Sequence, residues 1–104
     1  MKQFDVLANP FPRSSAHQPF LLALQSDLLS RNLDTMVVAP LEPAESRKFA
    51  DRLNPEVTIE DKRYVLIAQE IVTVRKSVLG ERRGSLLYER DRIIAAHDLL
   101  ITGF

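Results

Sequence analysis

Of the two side chains most suited to proton transfer and zinc binding near neutral pH, this 104-residue chain has two histidines, His17 and His97, and no cysteine. General acid–base catalysis needs a titratable pair held within hydrogen-bond reach of the reacting group. His97 lies in Ile93–Ile101, where seven of nine residues are apolar, so a packed or interface histidine is the expectation there. His17 belongs to a Pro- and Ser-containing stretch, Asn9–Gln18, that has no apolar period and reads as an exposed loop. Structural zinc sites are built from Cys and His, so with two histidines and no cysteine none is expected, and no cofactor is expected. Arg75, Lys76, Arg82 and Arg83 make the one basic cluster, expected as a solvated face or as a contact for an acidic partner. Arg13 and His17 are the candidates for a partner-binding loop. Fourteen basic and fourteen acidic residues give zero formal charge, so no global field draws the protein to nucleic acid or anionic lipid. These residue types point to binding rather than catalysis.

The element that must present such a surface is the tail. Ser85 is a candidate helix cap, and good helix formers continue from Leu86 to Thr102 without Pro or Gly. Such a helix would be roughly 25 Å long. Ile93, Ala96, Leu100 and Phe104 share one face, yet Ile94, Leu99 and Ile101 lie outside it. A helix apolar nearly all round is covered on more than one side, and one small sheet covers one. A second partner is implied, either a twin subunit or a target protein. Gly103 suits a C-cap, and Phe104 beyond it is either a core anchor or a side chain offered to a partner.

The rest of the chain reads as short strands. Gln3–Ala8 alternates as a half-buried strand, and Phe20–Leu24 is a continuous apolar run expected to be buried on both faces. Ser26 or Asp27 can cap a turn that carries Leu28 and Leu29, packed in the core or set on a surface. Met36–Leu41 is an apolar strand that Pro40 should cut short. Glu42–Asn54 could hold a helical turn or two. Val57–Ile59 and Tyr64–Leu66 flank a polar tip as a hairpin, Ile71–Val74 is β-branched, and Val78–Leu79 would be the last strand. No segment resembles a secretion signal or reaches membrane-spanning length, so a soluble cytoplasmic protein folded as one domain over residues 1–104 is expected. The fold class is α+β, a small bent antiparallel sheet closed by a C-terminal helix.

The stretches Gln25-Ser26-Asp27-Leu28-Leu29, Val37-Val38-Ala39-Pro40-Leu41 and Gly80 to Phe104 resemble the CcdB family, gyrase-poisoning toxins of bacterial toxin–antitoxin pairs. Chain length and the Gln-Phe start match as well. The resemblance implies five main strands plus a small second sheet and a C-terminal helix, in a homodimer without catalytic chemistry. It implies binding to the DNA gyrase A subunit, trapping of gyrase on cleaved DNA, and neutralisation by a CcdA-like antitoxin. Operator DNA would be met only through the antitoxin complex. The family's gyrase contacts carry over to Leu28, Leu29, Asp98 and Ile101, and to the terminal Thr102, Gly103 and Phe104, which stand where Trp-Gly-Ile is typical. The antitoxin-binding loop carries over to Arg13 and His17. Two other readings are a chromosomal homologue with altered gyrase poisoning and an endoribonuclease toxin of the MazF type, a related fold.

Overall fold

The computed structural model describes residues 1–103. Among them the strands are β1 (Asp5–Ala8), β2 (Phe20–Ala23), β3 (Thr35–Pro43), β4 (Glu56–Ile59), β5 (Lys62–Leu66), β6 (Val72–Arg75) and β7 (Arg82–Ser85). A one-turn helix, α1 (Asp27–Ser30), follows β2, and α2 (Arg90–Thr102) closes the chain. All strands join one antiparallel sheet in the order β4-β5-β3-β2-β1-β7, with β6 also on β3. The expected small second sheet is the β4–β5 hairpin, continuous with the main one through the far end of β3. This is the bent antiparallel α+β platform the sequence implies.

The apolar run of β2 is buried along its whole length because both faces of the sheet are covered. Phe20 and Leu22 point with Val6, Ala39, Leu41 and Leu66 toward α2, which contributes Ile93 and Ala96. Leu21 and Ala23 point the other way with Leu7, Met36 and Val38, where Val74 and Leu79 cover them. β1 shares this two-sided burial, so the half-buried alternation expected for it is corrected. Asp5 is buried beside Val6 and Leu7, and its carboxylate accepts from Lys2 N–H at 2.8 Å and from Arg82 Nε at 3.1 Å.

Two expectations for the middle of the chain fail for local reasons, and a third holds at its lower bound. Pro40 does not end β3, which runs on to Pro43. Its carbonyl accepts from Ile67 N–H at 2.9 Å, so Pro40 faces the side where β6 has ended and β5 has not begun. The Ile67 carbonyl that a residue-40 N–H would have met instead takes Glu70 N–H at 3.0 Å. A proline is harmless where the ladder asks for no donor. Residues 44–54 hold a single helical turn, Asn54 N–H on Ala50 O at 2.7 Å, and no longer helix; Glu42 in the strand organises the residues before that turn. Arg47 binds its carboxylate through Nε and Nη2 at 3.1 and 3.0 Å, Gln18 Nε2 donates at 2.9 Å and Ser46 Oγ at 3.3 Å. Val78–Leu79 is no strand; a 3-10 turn spans Lys76–Val78, and the last strand is Arg82–Ser85. The basic cluster is thereby dispersed. Arg82 pairs with Asp5 and Arg83 with Glu60, and Lys76 Nζ donates to the Ser30 carbonyl.

The sheet curls until its two ends meet. β4 and β7 share no ladder, yet Arg83 Nη2 reaches both oxygens of Glu60 at 2.8 and 3.0 Å. Tyr88 Oη donates to Thr58 O at 3.2 Å, and Arg92 Nη1 to Glu56 O at 2.9 Å. Glu60 and Asp61 hold φ of 52° and 65° at the tip of the β4–β5 hairpin, the left-handed pair of a two-residue turn that matches strand twist. Lys62 and Arg63 therefore belong to β5 rather than to the tip.

Two predictions come from this packing. A Cβ on Gly80 would stand 2.3 Å from the Ala8 carbonyl oxygen, whereas one on Gly84 meets nothing within 4 Å. Gly80→Ala should lower stability by about 1–3 kcal/mol, as overpacking against backbone does, and Gly84→Ala by less than about 0.5 kcal/mol; chemical denaturation of both variants checks this. Burial alone would push the Glu42 carboxyl up, but hydrogen bonds from Gln18 and Arg47, the Arg47 charge and the Ser46 hydroxyl together hold it below its ordinary 4.5. A carboxyl depressed in the folded state stabilises fully above its unfolded value and loses that contribution as pH falls through the folded one. Glu42→Gln should therefore cost on the order of 2 kcal/mol at neutral pH. Melting curves of both proteins should converge as pH drops below 4.5.

Candidate functional site

The residues singled out from the sequence occupy three places. Leu28 and Leu29 ride on α1, a four-residue helix that buries none of its side chains. So short a helix is not stable by itself, and polar contacts hold it. Ser26 Oγ caps the Leu29 N–H at 3.3 Å, and Asp27 Oδ1 accepts from Gln3 N–H at 2.8 Å. Gln25 Nε2 donates to Ser30 Oγ at 3.0 Å and to Thr35 O at 2.9 Å. Because these bonds fix the turn, the leucines are not needed for packing. Leu28 is 71% exposed and Leu29 56%, so the core-packed alternative for them is excluded.

Asp98, Ile101, Thr102 and Gly103 form the end of α2. The helix starts at Arg90, later than expected; Leu87–Glu89 is a 3-10 turn, and Ser85 Oγ accepts the Leu87 N–H at 3.2 Å rather than capping α2. Ile93 and Ala96 reach the core. One turn further on the helix leaves it: Leu100 is 39% and Ile101 78% exposed. Gly103 closes the helix at φ 81°, its N–H on Leu99 O at 2.9 Å, and Thr102 Oγ1 donates to Asp98 O at 2.6 Å. Left-handed φ suits glycine, so this cap is built into the chain. No basic residue sits in the last turn, and Asp98 is exposed there. An acid beside the negative end of a helix is unfavourable by itself, by about 0.3–1 kcal/mol. The end of α2 is thus an apolar knob with negative potential, complementary to an apolar patch that carries a cation. Phe104 lies outside the described residues.

Arg13 and His17 occupy the third place, both exposed on the loop between β1 and β2. Asn9 organises that loop. Its Nδ2 donates to Ser14 Oγ at 3.0 Å and to Gln18 O at 2.8 Å, and its Oδ1 accepts Phe11 N–H at 2.9 Å. His97 is partly buried, with Nδ1 at 3.0 Å from Ile93 O, one turn back in its own helix, and its buried Nε2 meets no partner among the described residues. The ring is packed on the helix, but it is only half satisfied, not the fully satisfied histidine expected there. Among the described residues no cluster of His, Cys, Asp and Glu is arranged to hold a metal ion. Nor, among the described residues, is any helix long and apolar enough to cross a membrane.

Sequence reasoning missed the exposed Leu87 and Tyr88, at 60% and 69%, and Ile71 and Val72, at 40% and 49%. The first pair was hidden by its apparent membership of the long helix. The second was hidden by β-branching, which marks a strand but not whether its outer side is covered.

Among solved structures, the fold is similar to the Mycobacterium tuberculosis toxin MazF-mt6, with TM-score 0.68, 17% identity, and 90% of this chain and 92% of that one covered. It is similar also to an endoribonuclease in complex with its cognate antitoxin from Mycobacterial species, with TM-score 0.68, 16% identity, and 94% and 91% covered. At such identities the likeness is one of fold alone. No curated protein sequence matches the chain. The family model described as CcdB protein, however, matches residues 3–103. With nearly its whole length matched, the chain belongs to the CcdB family, the toxin side of toxin–antitoxin pairs.

Proposed function

We propose that this protein is a non-enzymatic toxin that binds the DNA gyrase A subunit as a homodimer, traps gyrase on cleaved DNA, and is held inactive in the cytoplasm by an antitoxin. The observation that carries this reading is the exposure of Leu28 and Ile101, at 71% and 78%, on two helical ends that the fold otherwise spends polar contacts and a glycine cap to fix. Rigidly presented apolar side chains are what a protein-binding hot spot needs. Leu29, Asp98, Thr102, Gly103 and Phe104 complete the gyrase surface, and Arg13 and His17 serve the antitoxin. The likeness to an endoribonuclease favours RNA cleavage as the second reading. Against it, His97 is turned into its own helix and His17 stands in an exposed loop.

Leu28→Asp and Ile101→Asp should leave the melting temperature nearly unchanged and each reduce gyrase-dependent DNA cleavage by about tenfold or more, the scale of a lost hot spot. Truncation after Ile101 should lower stability by about 1 kcal/mol, as loss of a helix cap does, and abolish trapping. Full trapping by the double Asp variant would refute the assignment of the surface, and cleavage of total RNA by the purified protein would transfer it to the endoribonuclease class. Light scattering at micromolar concentration should give twice the chain mass; a value near 11.8 kDa would remove the homodimer.

A further inference from the structure

The outer edge of β6 is open, and its chemistry defines what fits it. Lys76 N–H donates to Asp34 O, and Leu24 N–H donates to Val37 O, each at 2.8 Å. With Met36 opposite Val74 and Val37 opposite Thr73, these bonds set the phase of the ladder. Residues 72, 74 and 76 turn their backbone groups to β3. Since such pairs alternate along an antiparallel ladder, Thr73 and Arg75 aim N–H and C=O away from it, where no strand lies among the described residues. Exposed edges are normally blunted by Pro, Lys or a bulge, and Val72-Thr73-Val74 carries none of these.

Beside the edge lies a groove of about 330 Å³ lined by Phe11, Leu21, Pro40, Val72 and Val74. Its one carboxylate, Glu70, is already met by Gln18 Nε2 at 3.1 Å and by Arg47 at 3.9 Å. Arg13, two residues past Phe11, and Arg75, on the opposite face of β6 from Val72 and Val74, are exposed, and neither makes an ion pair among the described residues. Asp34 lies beside Arg75 at the end of the strand and is the one acid there without an ion pair among them.

We propose that β6 receives an extended, acidic segment of the antitoxin by strand addition. The segment hydrogen-bonds to Thr73 and Arg75, lays an aliphatic or aromatic side chain in the Phe11–Val72 groove and sets carboxylates against Arg75 and Arg13. Main-chain bonds supply affinity in this mode and the pocket supplies specificity. A second copy of the chain would bring its own unmatched Arg75 and Arg13 to the same edge, so an acidic partner fits better. The proposal rests on the toxin–antitoxin reading.

The test uses the full chain and the antitoxin encoded beside its gene. On mixing, amide exchange of Thr73 and Arg75 should slow at least tenfold. Thr73→Pro, which removes only the outward N–H, should weaken the complex at least tenfold while gyrase trapping persists, and Arg75→Glu should weaken it too. Unchanged exchange at both amides, measured on the unaltered chain, overturns the proposal even where Thr73→Pro folds poorly. Protection of both amides in the free toxin that grows with its concentration also overturns it, assigning the edge to a second copy. Failure of the unaltered toxin to bind the antitoxin at all would overturn the toxin–antitoxin reading itself and this proposal with it.

Discussion

Everything in the molecule depends on β3 being paired along both edges at once. β2 takes one edge, while β6 and then β5 share the other, and the change of partner falls at Ala39 and Pro40. A nine-residue strand that changes neighbours midway lets the sheet bend without breaking a hydrogen bond, because the one missing donor is a proline's. The bend carries the β4–β5 hairpin round toward β7 and α2. There the closure uses side chains rather than a ladder: Arg83 on Glu60, Tyr88 on Thr58, Arg92 on Glu56. Exposed ion pairs are worth little individually. The closure is therefore held chiefly by the core it encloses, Phe4, Leu22, Leu41, Leu66 and Ile93 among others, with the polar contacts setting its register.

The parts of this arrangement legible in the sequence are those where local pattern and tertiary environment agree. Phe20–Ala23 is buried on both faces as its unbroken apolar run implies, and the β4–β5 hairpin lies where two apolar runs flank a polar stretch, although its tip is Glu60–Asp61 and not the whole of Glu60–Arg63. Pro40 misled because the rule against proline in a strand concerns a donor, and the need for a donor depends on a neighbour that the local sequence does not show. Arg82–Ser85 was unreadable as a strand because its side chains are charged or small. It is a strand through its pairing with β1 and through the acids, Asp5 and Glu60, that meet its arginines. The stretch after Glu42 keeps one helical turn, at Ala50–Asn54, while before it the buried carboxylate collects Arg47, Gln18 and Ser46 and holds the chain in turns. Of the candidate site, the residues were legible through resemblance and their exposure was not, since nothing in Leu28-Leu29 separates a core pair from a presented one.

Fold and family point in directions that only side chains can separate. The backbone is similar to the toxin MazF-mt6 and to an endoribonuclease bound to its antitoxin, while the sequence belongs to the CcdB family. A shared platform does not carry a shared activity. The difference must lie in what is mounted on the sheet, and here the mounted groups are apolar knobs on capped helical ends.

The apolar surface left over for a partner is narrower than the number of apolar residues suggests. Phe20–Ala23 and Met36–Ala39 require no partner, because the two faces of one sheet absorb them. After that absorption the large exposed apolar side chains include Leu28, Val72, Leu87 and Ile101. These lie on α1, at an open strand edge, at the entry to α2 and at its end, all places beyond the reach of either core cluster. Scattered single exposures need no explanation. Exposures on elements that the fold pins with caps and hydrogen bonds are different, since a merely tolerated leucine gives no reason to immobilise the turn beneath it. The case for partners therefore rests on rigidity at these positions rather than on total hydrophobicity, and it distributes the partners. The helical ends suit a folded target with matching pockets, and the β6 edge suits a chain that arrives extended.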